Sequence, residues 1–362
     1  MRFLHISDLH LGKTFTSSRY GQDFARRRRQ ELLDTFERVV DYANQQQVDF
    51  ILSCGDFLNS EELRMEELRN INAIIKKLNH TVIIAISGNH DPQCEDGAYD
   101  RIQWDRRLYL LPPGTGRVAL SNLNTTITFH SWDKKEMSEP VQIPQPLAQD
   151  GQFQILMLHA DVLSPKSRYL PMDAQKLSEA GFHYVALGHI HKMQQPAENV
   201  YYSGSLEPLD ASETGEHGFI QVDVEEDRTT AQFVPFSSRE YRNSVLETSG
   251  EDSEKQIVQK IEQEIFDKNR QHIYTIMLRG THPARGQWDV ELIGEELREK
   301  NYLCTVEDAT RPDYDLQELR RENQGNLIGD FIASFDGRKL TEVEEKALQY
   351  GLEALIAQSK ED

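Results

Sequence analysis

Cysteine is scarce: Cys54, Cys94 and Cys304 are the only three in 362 residues, and no two are close in sequence. That excludes a disulfide framework and a thiolate zinc site, and it fits a reducing compartment. Cys54 ends the apolar run Phe50-Ile51-Leu52-Ser53, where a small buried hydrophobe is expected rather than a reactive thiol. Long hydrophobic runs are missing too. None approaches the roughly 20 residues a membrane-spanning helix needs, and Met1-Arg2-Phe3 leads straight into a strand pattern instead of a signal peptide. A cytoplasmic address with no membrane partner is expected. Positive charge is also short, with 40 basic against 60 acidic side chains and a formal charge of −20. Residues 1–241 carry 24 basic and 34 acidic groups and 242–362 carry 16 and 26, so neither part is a basic module. Holding nucleic acid by bulk attraction is excluded, and any such binding must be local.

What is present is an ordinary globular composition, 38% hydrophobic and 28% charged, on a chain long enough for one large and one small domain. Five short apolar runs, Phe3 to Ile6, Phe50 to Ser53, Thr81 to Ile86, Phe153 to Leu158 and Tyr184 to Leu187, each run into a polar turn bearing Asp or His. Leu32, Leu33, Phe36, Val39, Val40 and Ala43 recur at helical spacing, so 24–46 reads as a crossover helix between the first two runs. Tyr201-Tyr202, Phe219 to Val224 and Thr229 to Phe236 read as antiparallel strands of a second sheet. The expected fold is α/β, a β-sandwich flanked by helices over 1–240. A small α+β domain over 241–320 and two amphipathic C-terminal helices within 321–362, with apolar positions such as Leu327, Phe331, Leu348 and Leu352, complete it.

The turns carry the chemistry. Asp8-Leu9-His10, Gly55-Asp56, Gly88-Asn89-His90-Asp91, His159 and Gly188-His189-Ile190-His191 follow the five runs in order. Any one of these occurs by chance in many proteins. Five successive strand ends, each offering a metal-capable side chain toward one edge of one sheet, form a site candidate. Imidazoles and carboxylates without thiolates suit borderline divalent ions, Mn, Fe, Zn or Co. Asp56 has two oxygens with which to bridge two ions about 3.5–4 Å apart, the spacing that clamps an in-line displacement at phosphorus. With only Asp8 and Asp56 charged, two divalent ions leave the cage at +2, which favours an anionic phosphate and a hydroxide nucleophile held by the ions. His90 is left over to donate a hydrogen bond or proton, with Asp91 to orient it.

The order Asp-x-His, Gly-Asp, Gly-Asn-His-Asp, His, Gly-His-x-His resembles the calcineurin-like metallophosphoesterase superfamily over residues 1 to about 240. The resemblance implies that Asp8, His10, Asp56 and His191 hold one metal and Asp56, Asn89, His159 and His189 the other, with His90 facing the scissile phosphate. Leu4-His5-Ile6-Ser7-Asp8-Leu9-His10-Leu11-Gly12, Ala186 to Lys192, Tyr202-Ser203-Gly204-Ser205 and Glu213-Thr214-Gly215-Glu216-His217-Gly218-Phe219 look like the SbcD-type DNA repair nucleases, including their YhaO-like branch. That similarity implies a manganese-dependent DNA exonuclease and endonuclease, with Mg as a further candidate ion. It also implies a small domain capping the DNA, an SMC-like SbcC-type ATPase partner and a homodimer.

Two other readings compete: a phosphomonoesterase or cyclic-nucleotide phosphodiesterase with a small substrate, and a partner-binding scaffold with structural metals. A free His90 argues against the scaffold. The C-terminal helices either dock the ATPase or pack on their own domain. Arg19 and part of Arg26 to Arg29 are candidates for steering DNA beside the cleft. Four consecutive residues wrap around a helix, however, and put at most two on any face. His5, His80, His130, His183, His217, His272 and His282 fall outside the motifs and read as surface or satisfied core groups.

Overall fold

Alternation along the first strand sets the layering. In β1 (Arg2–Ile6), Leu4 and Ile6 turn to one side and Phe3 to the other, and all three are fully buried. A strand apolar on both faces must be covered on both. The computed structural model, which describes residues 1–15, 20–95, 97–146, 151–225, 228–266, 271–284, 286–337 and 339–358, shows what covers it. The chain divides into two units, Met1–Tyr241 and Arg242–Asp362.

The strands of the first unit continue as β2 (Phe50–Cys54), β3 (Val82–Ile86), β4 (Leu108–Leu110), β5 (Gly114–Leu120), β6 (Thr125–Ser131), β7 (Phe153–His159), β8 (Tyr184–Gly188), β9 (Gln194–Ala197), β10 (Val200–Tyr202), β11 (Gly218–Val224) and β12 (Thr229–Pro235). Two six-stranded mixed sheets result, ordered β12-β11-β1-β2-β3-β4 and β5-β6-β7-β8-β10-β9. Phe3, Phe50, Leu52 and Cys54 of the first sheet meet Ile155, Met157, Tyr184 and Ala186 of the second in one core. On the outer face, Leu4, Ile6 and Ile51 pack under α1 (Gly21–Gln45) and α2 (Met65–Ile75), through Leu32, Phe36, Val39 and Ile71. The second sheet's outer face buries Leu156, Leu158, Val185 and Leu187 against α3 (Ala174–Ser178) and the segment through Val141 and Ile143. This is the expected sandwich flanked by helices.

Strand allocation differs from expectation. β11 and β12 do not build the second sheet. β11 pairs antiparallel with β1 and β12 with β11, which widens the first sheet, while β10 lies parallel to β8 in the second. The five strand ends therefore belong to two sheets, β1 to β3 on one and β7 and β8 on the other, and converge where the two meet.

In the second unit, β13 (Tyr241–Thr248), β14 (Ile273–Pro283), β15 (Leu303–Asp308) and β16 (Arg311–Asp313) form a small sheet. Its core is shared with α4 (Glu254–Lys260), which runs on as a π-helical turn (Ile261–Ile265), and with α5 (Val290–Glu299). The helices α6 (Leu316–Glu322), α7 (Leu327–Ala333) and α8 (Glu342–Gln358) enclose a separate cluster of Ile328, Ile332, Leu348 and Leu352. No helix among the described residues is long and apolar enough to cross a membrane.

Candidate metal centre

Backbone strain is concentrated at the strand ends. Asp8 (φ 53°), His10 (φ 44°), Asp56 (φ 50°) and His189 (φ 102°) lie in the left-handed region, which only four other described non-glycine residues share. Each such residue costs on the order of 1–3 kcal/mol and persists only where its surroundings over-determine it. Those surroundings are visible. The Asp8 N–H donates to the Gly55 carbonyl (3.2 Å), His10 N–H to Asp56 (2.9 Å) and Leu11 N–H to Phe57 (3.1 Å), which zips the turn after β1 to the turn after β2. A Cβ at Gly188 would stand 1.9 Å from the Cys54 carbonyl oxygen, and one at Gly88 2.3 Å from Asp56 Oδ1. Only glycine lets the ends of β8 and β3 approach β2 so closely.

Asp91, expected to orient His90, has a different task. Its Oδ1 accepts from the N–H groups of Gly88 (2.7 Å) and Asp56 (3.1 Å), and its Oδ2 from Leu58 N–H (3.0 Å) and the Tyr99 hydroxyl (2.6 Å). Four bonds use the lone-pair sites of a carboxylate. Asp91 is fully buried and clamps two turns together, with nothing left for the His90 ring. His90 itself is exposed; its backbone N–H donates to Asp56 Oδ1 (2.8 Å) and its ring stands edge-on to His10, centroids 4.8 Å apart.

Three imidazoles are presented the same way. His159 Nδ1 faces the Cys54 carbonyl (3.0 Å), His10 Nδ1 the Asn59 amide oxygen (3.2 Å) and His191 Nδ1 the Glu213 carboxylate (2.7 Å). Each Nδ1 meets an acceptor and so carries a proton, which leaves Nε2 a lone pair whenever the ring is neutral. Against the opposing effect of burial, the Glu213 and Asp8 carboxylates raise the His191 pKa, so its Nε2 is the most readily protonated of the three. The lone pairs converge on two buried carboxylates. His10 Nε2 lies 3.6 Å and His159 Nε2 3.4 Å from Asp56 Oδ2, and His191 Nε2 lies 3.8 Å from Asp8 Oδ1. Asn89 Oδ1 stands 2.9 Å from His159 Nε2, and His10 Nε2 is buried without a hydrogen-bond partner.

Lone pairs aimed at carboxylate oxygens repel unless a cation lies between them, so these residues fit divalent ions. Burial holds the His10 and His159 pKa values below the ordinary imidazole range, which keeps the rings neutral as ligands must be. Burial, and then the charges of Asp91 and Asp8, push the Asp56 carboxyl well up. A divalent ion reverses that penalty. Nitrogen and oxygen donors without sulfur suit borderline first-row ions.

Residues 1–193 match the family described as calcineurin-like phosphoesterase. The chain belongs to that family. As a calcineurin-like phosphoesterase it is a metal-dependent phosphoester hydrolase by kind, in a family that typically binds two ions. Among its relatives is a protein described as the uncharacterized metallophosphoesterase YhaO of Bacillus subtilis, 26% identical over 238 residues, 62% of this chain and 57% of that one. The DNA double-strand break repair protein Mre11 of Methanocaldococcus jannaschii is 26% identical over 239 residues, 62% of each chain. This chain therefore spans about three-fifths of the length of these two relatives. Mre11 of Methanopyrus kandleri is 24% identical across 89% of this chain and 76% of its own. Among solved structures, a dimetal phosphatase from Danio rerio aligns with 12% identity and a TM-score of 0.39, over 64% of this chain and 95% of that one.

In this phosphoesterase the motif residues gather into three overlapping groups whose ligand atoms lie within 4.8 Å of one another: Asp8, His10 and His191; His10, Asp56 and His90; Asp8, Asp56 and His159. Asn89 joins through His159. His189 is in none of the groups. Its ring stands edge-on to His159 (5.4 Å) and tilted against Tyr169 (4.8 Å), its backbone N–H donates to Asp8, and burial brings its pKa down to about 4. Arg28 is not a surface cation: it is fully buried, paired with Glu31 and Glu207 and bonded to the Pro208 carbonyl (2.7 Å). Arg29 is tied to Glu67, and Arg19 lies outside the described residues. Sequence reasoning missed Asn59 and Glu213 as partners of His10 and His191, since hydrogen bonds made by loop residues leave no spacing to read.

Proposed function

We propose that this chain is a metal-dependent DNA phosphodiesterase, an exonuclease and endonuclease that works as the nuclease subunit of an SbcCD-like repair complex. The observation that carries the chemistry is the convergence of three Nε2 lone pairs on Asp8 and Asp56, with Asp56 Oδ2 between His10 and His159. The similarity to proteins described as DNA double-strand break repair protein Mre11 supports DNA as substrate, and an SMC-like ATPase as partner follows from the SbcD-type resemblance of the sequence. Asp8, His10, Asp56 and His191 would hold one ion, and Asp56, Asn89, His159 and, by the family resemblance, His189 the other, with manganese the first candidate. Two such ions supply Lewis acidity at the phosphate oxygens and ionise water near neutral pH.

The protein's own groups do the rest. Asp91 fixes the turns that aim Asp56 and Asn89, a positioning role. His90, at the mouth with its ring partly desolvated, is held below the ordinary imidazole range by that desolvation and then by the Lys13 charge, so it stands neutral and donates a hydrogen bond to the departing oxygen. Beside it a cleft of about 300 Å³ is walled by residues including Lys13, Asn59, Ser60, Asn89, His90 and Tyr169. Glu61, Glu62 and Glu136, which also line it, are engaged with Lys135, the Thr14 N–H and Arg168. The Lys13 ammonium makes no ion pair with any described residue, so it is available to a substrate phosphate. Lys13→Gln should raise KM for DNA while leaving kcat nearly unchanged. It should also reduce the slope of log affinity against log salt by about one. An unaltered slope would remove Lys13 from the substrate contacts.

The deciding assay compares end-labelled DNA, a generic phosphodiester and a phosphomonoester, each with Mn and with Mg. Cleavage of DNA and the diester is expected. Hydrolysis of the monoester alone would leave a small-molecule phosphatase, and turnover of none would leave a scaffold with structural metals.

A further inference from the structure

The three rings that face the carboxylates are held from behind by unlike groups. His159 has a backbone carbonyl, His10 a neutral amide, and His191 a carboxylate. We propose that Glu213 is the positioning residue that sets the tautomer and strength of His191 as a ligand, so that the ion on Asp8, His10 and His191 depends on a residue 22 positions further along the chain. The inference rests on reading His191 as a ligand.

The geometry is specific at both ends of the carboxylate. Glu213 Oε1 accepts from His191 Nδ1 at 2.7 Å, and Oε2 accepts from the Leu209 N–H at 2.7 Å. With each oxygen committed, the carboxylate cannot swing away to solvent without stranding a donor. The loop beneath it is braced as well. The Glu213 N–H donates to the Asp210 carbonyl (3.2 Å), the Glu213 carbonyl is bonded by His217 Nε2 (3.3 Å), and His217 Nδ1 is bonded to the Ser205 hydroxyl (2.9 Å). The next residues are pinned to the end of the first unit, because Thr214 bridges to Tyr241 and the Gly215 N–H donates to the Tyr241 carbonyl (3.1 Å). A carboxylate behind a ligating imidazole fixes which nitrogen carries the proton and makes the other a stronger donor. Asn59 and the Cys54 carbonyl can do the first for their rings. Only Glu213, being charged, does the second strongly.

The test is metal binding, read without turnover. Glu213→Gln keeps the shape but offers one acceptor oxygen to two donors and carries no charge. By calorimetric titration of the chelated protein with Mn, it should weaken one of the two ions by about 10- to 100-fold and leave the other as in wild type, while the one donor left without an acceptor lowers the metal-free melting midpoint only modestly. His191→Ala, the control, should lose that same ion. If His191→Ala binds both ions as wild type does, the reading of His191 as a ligand fails and the inference with it. If His191→Ala loses an ion while Glu213→Gln binds both normally, the role of Glu213 alone is overturned. Should Glu213→Gln not fold, long-range proton–nitrogen spectra of histidine-labelled wild-type protein loaded with Zn decide the matter. A proton on His191 Nδ1 is expected, and one on Nε2 refutes the proposal.

Discussion

Asp56→Asn is expected to leave a folded protein whose turnover is lower by on the order of 10⁴-fold, the scale on which a group acting as part of a catalytic unit is missed. The variant should also bind Mn more weakly at both positions. The cause is the placing of one oxygen. Asp56 Oδ2 lies 3.6 Å from His10 Nε2 and 3.4 Å from His159 Nε2, while Oδ1 is committed to the His90 N–H at 2.8 Å. An asparagine in the same rotamer keeps the bond to His90 and turns its NH₂ toward the two lone pairs. The oxygen proposed to bridge the ions is replaced by a hydrogen-bond donor.

The same exchange should act on stability with the opposite sign. Burial, then Asp91 and Asp8, raise the Asp56 pKa well above the ordinary carboxylate value. A carboxyl raised in the folded state contributes its stability below the unfolded pKa and loses it as pH rises through the folded pKa. Metal-free wild type therefore carries a burden at neutral and alkaline pH that Asp56→Asn does not. In chelator the variant should melt above wild type, by more at pH 8 than at pH 5, and adding Mn should invert the order. Melting curves with and without chelator check this. A variant less stable than wild type in chelator at every pH would mean that Asp56 is structural rather than held ready for an ion.

The motif residues were legible because each closes an apolar run. β1, β2, β3, β7 and β8 are buried on both faces, so their sequences read as mostly hydrophobic stretches, interrupted only by His5, Ser53 and Gln154, that run into turns bearing Asp or His. The same uniformity hides which sheet a strand joins. Alternation does not reveal it either: in Phe219 to Val224, Gln221 and Asp223 alternate with Ile220, Val222 and Val224, which marks a strand with one wetter face but does not say that it pairs with β1 rather than with a neighbour of β8. Among the strands that the sequence does not announce, β5 and β6 are hidden for other reasons. β5, Gly114–Leu120, is partly exposed along its whole length and contains two glycines, whereas β6, Thr125–Ser131, buries threonines whose hydroxyls look polar in sequence. Asp91 was singled out by its place beside His90, yet consecutive residues in a tight turn point apart, and its carboxylate went inward to the backbone. Glu213 and Asn59 act from loops, at separations only the folded chain can set.

Acid should destabilise the metal-free protein in part through a histidine that is no ligand. His5 is fully buried on β1, with Nε2 against the Leu187 carbonyl (3.1 Å) and Nδ1 against the Tyr184 hydroxyl (3.0 Å). The carbonyl can only accept, so Nε2 carries the proton and Nδ1 receives the tyrosine's. This neutral ring links β1 of one sheet to β8 of the other, three residues before Asp8. A second proton would leave a charged ring in a dry interior facing a hydroxyl, and burial accordingly brings the His5 pKa down to about 3 from 6.5. The unfolded chain takes up that proton near pH 6.5 and the folded one does not until about pH 3. Stability from the neutral ring is therefore complete above pH 6.5 and is lost progressively as pH falls toward 3. One proton corresponds to about 1.4 kcal/mol per pH unit. His5→Gln can make both bonds, amide N–H to Leu187 and amide oxygen from Tyr184, without titrating. Urea unfolding in chelator between pH 6 and pH 4 should show wild type losing about 1.4 kcal/mol per unit more than His5→Gln. Parallel curves would mean that His5 is charged in the folded protein, and that the contact between the two sheets beneath Asp8 is built differently from the one these hydrogen bonds describe.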